Sequence, residues 1–263
     1  MGTARSLTGR TALVTGAGSG IGAAIADELG REGAYVLVQD VRQEAAAAVA
    51  EQIRARGGGA GSIGGDVSNP DDVTEIVATL LDAHDRVDIL VNNAGFQYIA
   101  PIERFPLEQW NRLLGVLLTG PFLFIQAVLP IMRRHGWGRI INIASVNGKK
   151  GDPGKAAYCS AKHGVIGLTR TAALETAIDG ITVNAICPGA VDTPLLRNQL
   201  GDVAAIRGLS KEDALEKVFL AAIPQKELID PSEIASMVGY LASDEARSIT
   251  GQAINVSGGW VMH

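Results

Sequence analysis

The stretch Thr11 to Gly22, TALVTGAGSGIG, sets the architecture of the chain. Residues 11 to 15 form a short apolar run, glycines follow at 16, 18, 20 and 22, and a helical pattern then sets Ile21, Ile25 and Leu29 on one face. Strand, glycine turn and helix in that order suit a phosphate. Glycine lets the backbone turn tightly and lets a pyrophosphate approach the main chain, while the helix N-terminus offers free N–H groups and the positive end of its dipole. The turn reads T-G-x-x-x-G-x-G and not the generic G-x-G-x-x-G, so the loop alone leaves a purely structural turn open. A second strand, Ala34 to Gln39 (AYVLVQ), runs into Asp40. A carboxylate there accepts hydrogen bonds from the ribose hydroxyls of a dinucleotide and repels a 2′-phosphate, favouring NAD over NADP; Arg42 tempers that preference.

Beyond this unit, strand-like and helix-like patterns alternate to the end. Strands are expected near 11–15, 34–39, 60–65, 87–92, 138–144, 181–187 and 251–256, and helices near 20–32, 42–56, 70–84, 107–134, 157–178 and 231–243. Seven strands alternating with helices predict one α/β domain over 1–263, a doubly wound Rossmann fold with a parallel sheet. Ligands in such sheets bind outside the carboxyl ends of the strands. Gly16 to Gly22, Asp40, Asp66-Val67, Asn92 to Gly95, Ser145 and Pro188-Gly189 each fall at one of those ends. The segment 194–230 has no strand, weak helical periodicity and glycines at 201 and 208, which marks it as a substrate lid, with 195–220 closing over the ligand.

Composition narrows the function classes. With 263 residues and 47% hydrophobic content the chain buries a full core, and a net charge of −5 without a basic block argues against nucleic acid. The first strand begins by Thr11, no uninterrupted apolar run approaches membrane-spanning length, and a soluble cytoplasmic protein is expected. Met1 to Ser6 (MGTARS) meets the permissive N-myristoylation pattern, with nothing else pointing to a membrane. The two cysteines, Cys159 and Cys187, and four scattered histidines show no metal-ligand spacing, so no metal is expected. Cys159 beside Tyr158 reads as packing more readily than as a reactive thiol.

The chemistry is expected in the stretch Ser145 to Lys162, SVNGKKGDPGKAAYCSAK. In a helix, Tyr158 and Lys162 at i,i+4 share a face about one turn apart. A nearby ammonium favours the phenolate, and lowering a tyrosine pKa from about 10 by roughly three units takes about 4 kcal/mol. Ser145 can hydrogen-bond the same substrate oxygen, so the three read as machinery for moving a proton on or off an alcohol.

Together these elements resemble the short-chain dehydrogenase/reductase family over essentially the full length. Thr15 to Gly22 is similar to its TGxxxGxG loop, Asn92 to Gly95 to its NNAG element, Ser145, Tyr158 and Lys162 to its serine and YxxxK pair, and Pro188-Gly189 to its PG element. The resemblance implies that Tyr158 exchanges the proton, that Lys162 lowers its pKa and binds the nicotinamide ribose, and that Ser145 positions the substrate oxygen. It further implies cofactor contacts from Gly16, Ser19, Gly20, Ile21, Gly22, Asp40, Asp66, Val67, Asn93, Gly95, Tyr158, Lys162, Pro188, Gly189, Val191 and Thr193, and a homo-oligomer, a tetramer through two of its helices. One position departs. In Val116 to Gly120 (VLLTG), Leu117 replaces the asparagine with which the family holds a water chain from the lysine to solvent. Two readings follow, a rerouted proton path or slow proton release.

A narrower resemblance is to the bacterial (R)-3-hydroxybutyrate dehydrogenases, through NNAGFQYIAP, RIINIAS, AKHGV, AICPG and GGW. It implies a small carboxylate held by Gln97, Lys155 and Gln199, with Lys155 the charged donor. Asn147 stands where those enzymes have a histidine, and Lys149 and Lys150 add a basic pair that a solvated loop explains equally. Trp260 reads as either pocket wall or tail packing. The expected activity is NAD-dependent interconversion of a secondary alcohol and a ketone, with a short 3-hydroxy acid as the small-molecule substrate. The alternatives are a ketoreductase of larger cyclic or polyketide-like substrates and a nucleotide-binding protein without catalysis.

Overall fold

Strands buried on both faces need helices on both sides, and that is how the chain folds in the computed structural model, which describes residues 6–263. Residues 1–5 of the Met1–Ser6 pattern lie outside the described residues. Strands β1 (Thr11–Val14), β2 (Tyr35–Asp40), β3 (Gly59–Gly64), β4 (Ile89–Asn92), β5 (Gly138–Ile143), β6 (Ile181–Pro188) and β7 (Ala253–Val256) form one sheet in the order β3-β2-β1-β4-β5-β6-β7. Every neighbouring pair is parallel. The order reverses direction at β1, whose Ala12 pairs with Val36 on one side and Ile89 on the other. Strands leaving in opposite directions open a crevice beyond their carboxyl ends at that point.

The helices are α1 (Gly20–Arg31), α2 (Gln43–Ala55), α3 (Pro70–His84), α4 (Leu107–Leu114), α5 (Gly120–His135), α6 (Ala156–Glu175), α7 (Pro194–Arg207), α8 (Lys211–Ala214) and α9 (Pro231–Ala242). Local chemistry fixes their starts. Asn69 caps α3 by accepting from the Asp71 amide ahead of Pro70 at the first turn, and Asp230 with Glu233 forms a reciprocal capping box on α9. One face of the sheet is covered through Ile25, Leu29, Val238 and Leu241, the other through Leu80, Phe124, Val128 and Met132. A buried polar chain ties α6 to the sheet: Asn92 Nδ2 donates to Asn142 Oδ1 at 2.8 Å, and Asn142 Nδ2 to Thr169 Oγ1 at 2.9 Å.

Two expectations are corrected. First, α4 and α5 are joined by a π-helical turn, Gly115–Thr119, into a helix over Leu107–His135 that is long and apolar enough to cross a membrane by length and composition. Its apolar side, including Phe124, Ile125 and Met132, is buried in the core on β4 and β5. Second, 194–230 is largely helical, with α7, α8, a π turn Leu215–Phe219 and a 3-10 turn Leu220–Ala222. Gly208, at φ +64, ends α7, and Leu196, Val203, Ala214, Phe219 and Ile223 form an apolar cluster apart from those of the main sheet.

At the amino ends of the strands the polar groups pair with one another. Asp88, with 1% of its side chain exposed, accepts from the Thr11 amide (2.9 Å), Arg10 (3.2 Å) and Arg86 Nε (2.7 Å). Beside it, Trp137 is stacked between the guanidinium groups of Arg10 and Arg139, at 3.7 and 4.2 Å from the ring centre, and donates to Asp244.

Candidate active site

The glycine turn works through close approach. A Cβ on Gly16, at φ +60, would lie 2.5 Å from Ala94 Cα, and one on Gly22 would run into Asn93 Nδ2 and the Gly16 carbonyl. Asn93 Nδ2 donates to the Thr15 and Gly16 carbonyls at 2.9 and 3.0 Å, which fixes the NNAG segment against the turn. Asp40 accepts from the Gly18 amide (3.0 Å) and the Arg42 amide (3.0 Å), with the Arg42 guanidinium 3.5 Å away. Gln39, fully buried, accepts from the Gly16 amide at 3.3 Å and donates to the Gly65 carbonyl at 2.8 Å. A glycine cradle without room for Cβ atoms, the start of α1 and a fixed carboxylate at the end of β2 fit a dinucleotide.

At the chemical end, β5 delivers Ser145 and α6 delivers Tyr158 and Lys162. Ser145 Oγ accepts from the Asn147 amide at 3.1 Å. Lys162 is 5% exposed, donates to the Ile143 carbonyl at 2.6 Å, and holds its Nζ 5.7 Å from the Tyr158 ring centre. The expected lowering of the tyrosine pKa is reversed here. Burial pushes Tyr158 up to about 12 against the opposing hydrogen bond with Ser145, and the same burial brings Lys162 down to about 8. The i,i+4 spacing does bring the pair together; in the free protein desolvation is the largest influence on both groups, Lys162 being buried and Tyr158 half-buried in the cleft lining. Leu117, 1% exposed in the π turn, packs with Leu113, Ala157, Ala161 and Tyr158. Burial also raises both thiols, Cys159 and Cys187, away from the reactive thiolate.

At the substrate end, Lys155 is 7% exposed, with Nζ 2.8 Å from Asp152 Oδ2. Asn147 Nδ2 donates to the same carboxylate oxygen at 3.3 Å, while its buried Oδ1 has no hydrogen-bond partner. Gln97 Oε1 accepts from the Tyr98 amide at 3.2 Å. Lys149 donates to the Ala253 carbonyl at 2.7 Å and Lys150 lies 4.5 Å over the Trp260 ring, so neither is loose in a solvated loop.

One cleft of about 450 Å³ gathers these groups. It is lined by Gly16, Ser19, Gly20, Ile21, Asp40, Asp66, Val67, Asn93, Gly95, Gln97, Ser145, Asn147, Lys155, Tyr158, Lys162, Pro188, Gly189, Val191, Thr193 and Gln199. Gly22 stands behind the lining, where it lets α1 approach Asn93. Trp260 is a wall residue, and Gln39, Phe96, Arg112 and Phe219 join the lining without any motif having marked them. A glutamine ending an apolar strand was the one available signal, since such a side chain is seldom fully buried without a role. A second cavity of about 540 Å³ shares Lys155, Phe219 and Trp260 with the first and is bordered by Lys150, Asp152 and Lys217.

Comparison with known proteins agrees with this geometry. Residues 16–261 match the family profile described as enoyl-(acyl carrier protein) reductase, of the adh_short_C2 group. The chain belongs to the short-chain dehydrogenase/reductase family. Within that family it is 50% identical to an uncharacterised oxidoreductase of Bacillus subtilis (strain 168), YxjF, over 95% of this chain and 98% of the relative. It is 42% identical to a D-beta-hydroxybutyrate dehydrogenase of Rhizobium meliloti (strain 1021), again over 95% and 98%. The crystal structure of levodione reductase superposes with a TM-score of 0.91 at 35% identity, covering 96% of this chain and 97% of that one. The short-chain dehydrogenase/reductase fold and oxidoreductase chemistry on hydroxyl or keto groups thus hold for this chain.

Proposed function

We propose that the protein is an NAD-dependent dehydrogenase of a short 3-hydroxy acid such as (R)-3-hydroxybutyrate. The observation that carries this reading is Lys155, a lysine only 7% exposed at the substrate end of the cleft that also holds Ser145 and Tyr158. An alkyl ammonium is buried at a cost that an anion offsets, and a substrate carboxylate can share it with Asp152. Gln97, Asn147 and Gln199 add neutral polar groups around it. A nicotinamide dinucleotide held in this cleft would supply the hydride donor or acceptor.

The chain's own residues do the rest. Tyr158 Oη exchanges a proton with the substrate oxygen, Ser145 Oγ hydrogen-bonds that oxygen, and Lys162, held on the Ile143 carbonyl, would bind the nicotinamide ribose. With its pKa raised to about 12, the phenol of the free protein is protonated at neutral pH, which readies it to protonate a ketone. Asp40, fixed by two backbone amides, supports NAD over NADP, and the proposed dinucleotide contacts are the cleft residues named above together with Gly22 behind them. The segment 194–230, which brings Gln199 and Phe219 to the cleft on its own apolar cluster, acts as the lid. A homo-oligomer, a tetramer, working in the cytoplasm belongs to the same reading by family likeness.

The second cavity favours one other reading, a ketoreductase whose longer or cyclic substrate extends past Lys155. A substrate panel followed by NADH absorbance separates them. Turnover of 3-hydroxybutyrate with NAD, and a KM raised roughly 10- to 100-fold by Lys155→Met through loss of a charged hydrogen bond, supports the first. Turnover confined to long-chain or cyclic ketones, untouched by Lys155→Met, overturns it.

A further inference from the structure

Lys155, Phe219 and Trp260 line both the cleft and the second cavity of about 540 Å³, so the two spaces meet along these three side chains. A volume of that size is within the range of small-molecule sites. Neither Ser145 nor Tyr158 lines the second cavity, so it receives a part of the ligand remote from the reacting carbon.

Its lining has two characters. Ile99 and Pro101, from the segment after β4, and Val203, Val218 and Ala222, from the segment 194–230, give an apolar wall suited to methylene groups. Set in that wall are three lysines, in a chain whose net charge is −5. Two of them already have a carboxylate: Lys155 lies 2.8 Å from Asp152, and Lys217 lies 2.9 Å from Asp213. Lys150 differs. It is half-buried, its Nζ lies 4.5 Å over the Trp260 ring centre, and among the described residues it has neither a carboxylate at ion-pair distance nor a hydrogen-bond acceptor. An aromatic face attracts an ammonium without using up its three N–H donors, which are left to an anion entering the cavity.

We propose that the second cavity is a subsite for the far end of the substrate and that Lys150 binds a second carboxylate there, which makes the preferred substrate a 3-hydroxy dicarboxylic acid. The inference rests on the dehydrogenase reading above and keeps its anchors, the hydroxyl carbon at Tyr158 and the first carboxylate at Lys155. The chain then passes Phe219 and Trp260, its methylene groups lie against Ile99, Val203, Val218 and Ala222, and the terminal carboxylate accepts from Lys150 Nζ. A monocarboxylic acid of the same length brings a methyl group to that ammonium and gains the apolar contact alone. Lys150 is a specificity residue, since it touches none of the reacting atoms.

The test gives the protein and NAD pairs of 3-hydroxy acids of six, eight and ten carbons, each dicarboxylic acid against the monocarboxylic acid of equal length. At the length that spans the two spaces, the diacid should exceed the monoacid in kcat/KM roughly 10- to 100-fold, the range of a hydrogen bond to a charged group. Lys150→Met should bring that ratio to about one, Lys150→Arg should keep it and Lys150→Glu should invert it, as the charge at this position dictates. Each ratio is taken within one protein, so a general loss of stability or turnover cancels. A second readout needs no turnover: calorimetric titration of the NAD-loaded protein with hexanedioate, octanedioate and decanedioate, against hexanoate, octanoate and decanoate, should show the same preference and its loss in Lys150→Met. An active wild type with no diacid preference at any length, or with one that Lys150→Met leaves intact, overturns the subsite alone. A wild type inactive on every hydroxy acid overturns the dehydrogenase reading and the substrate assignment with it, and the titrations then decide by themselves whether Lys150 binds a carboxylate.

Discussion

The two ends of the one parallel sheet are built by opposite rules. At the amino ends, polar groups pair with each other: Asp88 collects Thr11, Arg10 and Arg86, and Trp137 is clasped between Arg10 and Arg139. At the carboxyl ends, three buried asparagine oxygens among the described residues, Oδ1 of Asn92, Asn147 and Asn255, have no hydrogen-bond partner. There, too, Tyr158 and Lys162 are both pushed toward their neutral forms. One end spends its polar groups on the fold, and the other sets Asn147, Tyr158 and Lys162 in the lining of the cleft. The contrast gives mutations opposite signatures according to the end they strike.

The largest effect is expected from Tyr158→Phe. Removing the hydroxyl takes away the group that exchanges the proton, and kcat should fall roughly 10²- to 10⁴-fold. The dinucleotide affinity and melting temperature should stay close to wild type, because one hydroxyl is a small share of the many groups that line the cleft. Stopped-flow hydride transfer, a binding titration and a thermal melt check all three; near-normal turnover would falsify the assignment of Tyr158.

Asp88→Ala should behave in the opposite way. It leaves the buried Thr11 amide, and the partly exposed Arg10 and Arg86, without their shared acceptor, at a cost of about 1–3 kcal/mol in unfolding free energy. Chemical denaturation measures that loss. Below its melting range the variant should keep wild-type kcat and KM, since Asp88 lies at the end of the sheet away from the cleft. A stable variant with impaired kcat would break the division between the two ends.

How much of this was legible in the sequence follows the same line. The glycine turn, Asp40 and the Ser145, Tyr158 and Lys162 spacing are local features, set by backbone geometry and helical period, and the structure brings them into one cleft. Helix and strand bounds agree to within a few residues for the same reason. Gln39, Arg112 and Phe219 reach the cleft only through tertiary packing, and no spacing rule marks them. The raised Tyr158 pKa of the free protein was not legible, because a one-turn separation speaks of coupling and says nothing of burial. Leu117 was visible as a departure, yet the polar contacts from Ser145 through Asn147 to Asp152 form only once the loop 145–155 is folded. The helical order of 194–230 was likewise hidden, since its residues pack on one another and not on the periodic face of the sheet.

The smallest effect, and the most diagnostic of the carboxyl end, concerns the pH dependence of stability around Lys162. Its pKa in the folded protein, about 8, lies below the ordinary value of 10.5, so between those two values the unfolded chain binds more protons than the native one. Stability attributable to this group therefore rises with pH from about 8 to about 10.5 and is at its lowest below pH 8. The shift corresponds to about 3 kcal/mol across that window, reduced by whatever relaxation admits water to the ammonium. Tyr158 acts in the other sense, since its raised pKa makes the native state bind the extra proton and lowers stability as pH rises from about 10 to about 12. Lys162→Met removes the first dependence and leaves the second. Urea melts of the free protein at pH 7 and pH 10 should show wild type gaining on Lys162→Met by about 2–3 kcal/mol over that interval, even though the variant has lost its hydrogen bond to the Ile143 carbonyl at both. A constant difference at the two pH values would mean that Lys162 is as well solvated as an exposed lysine, and the carboxyl end would then carry no such electrostatic cost to set against the paired groups around Asp88.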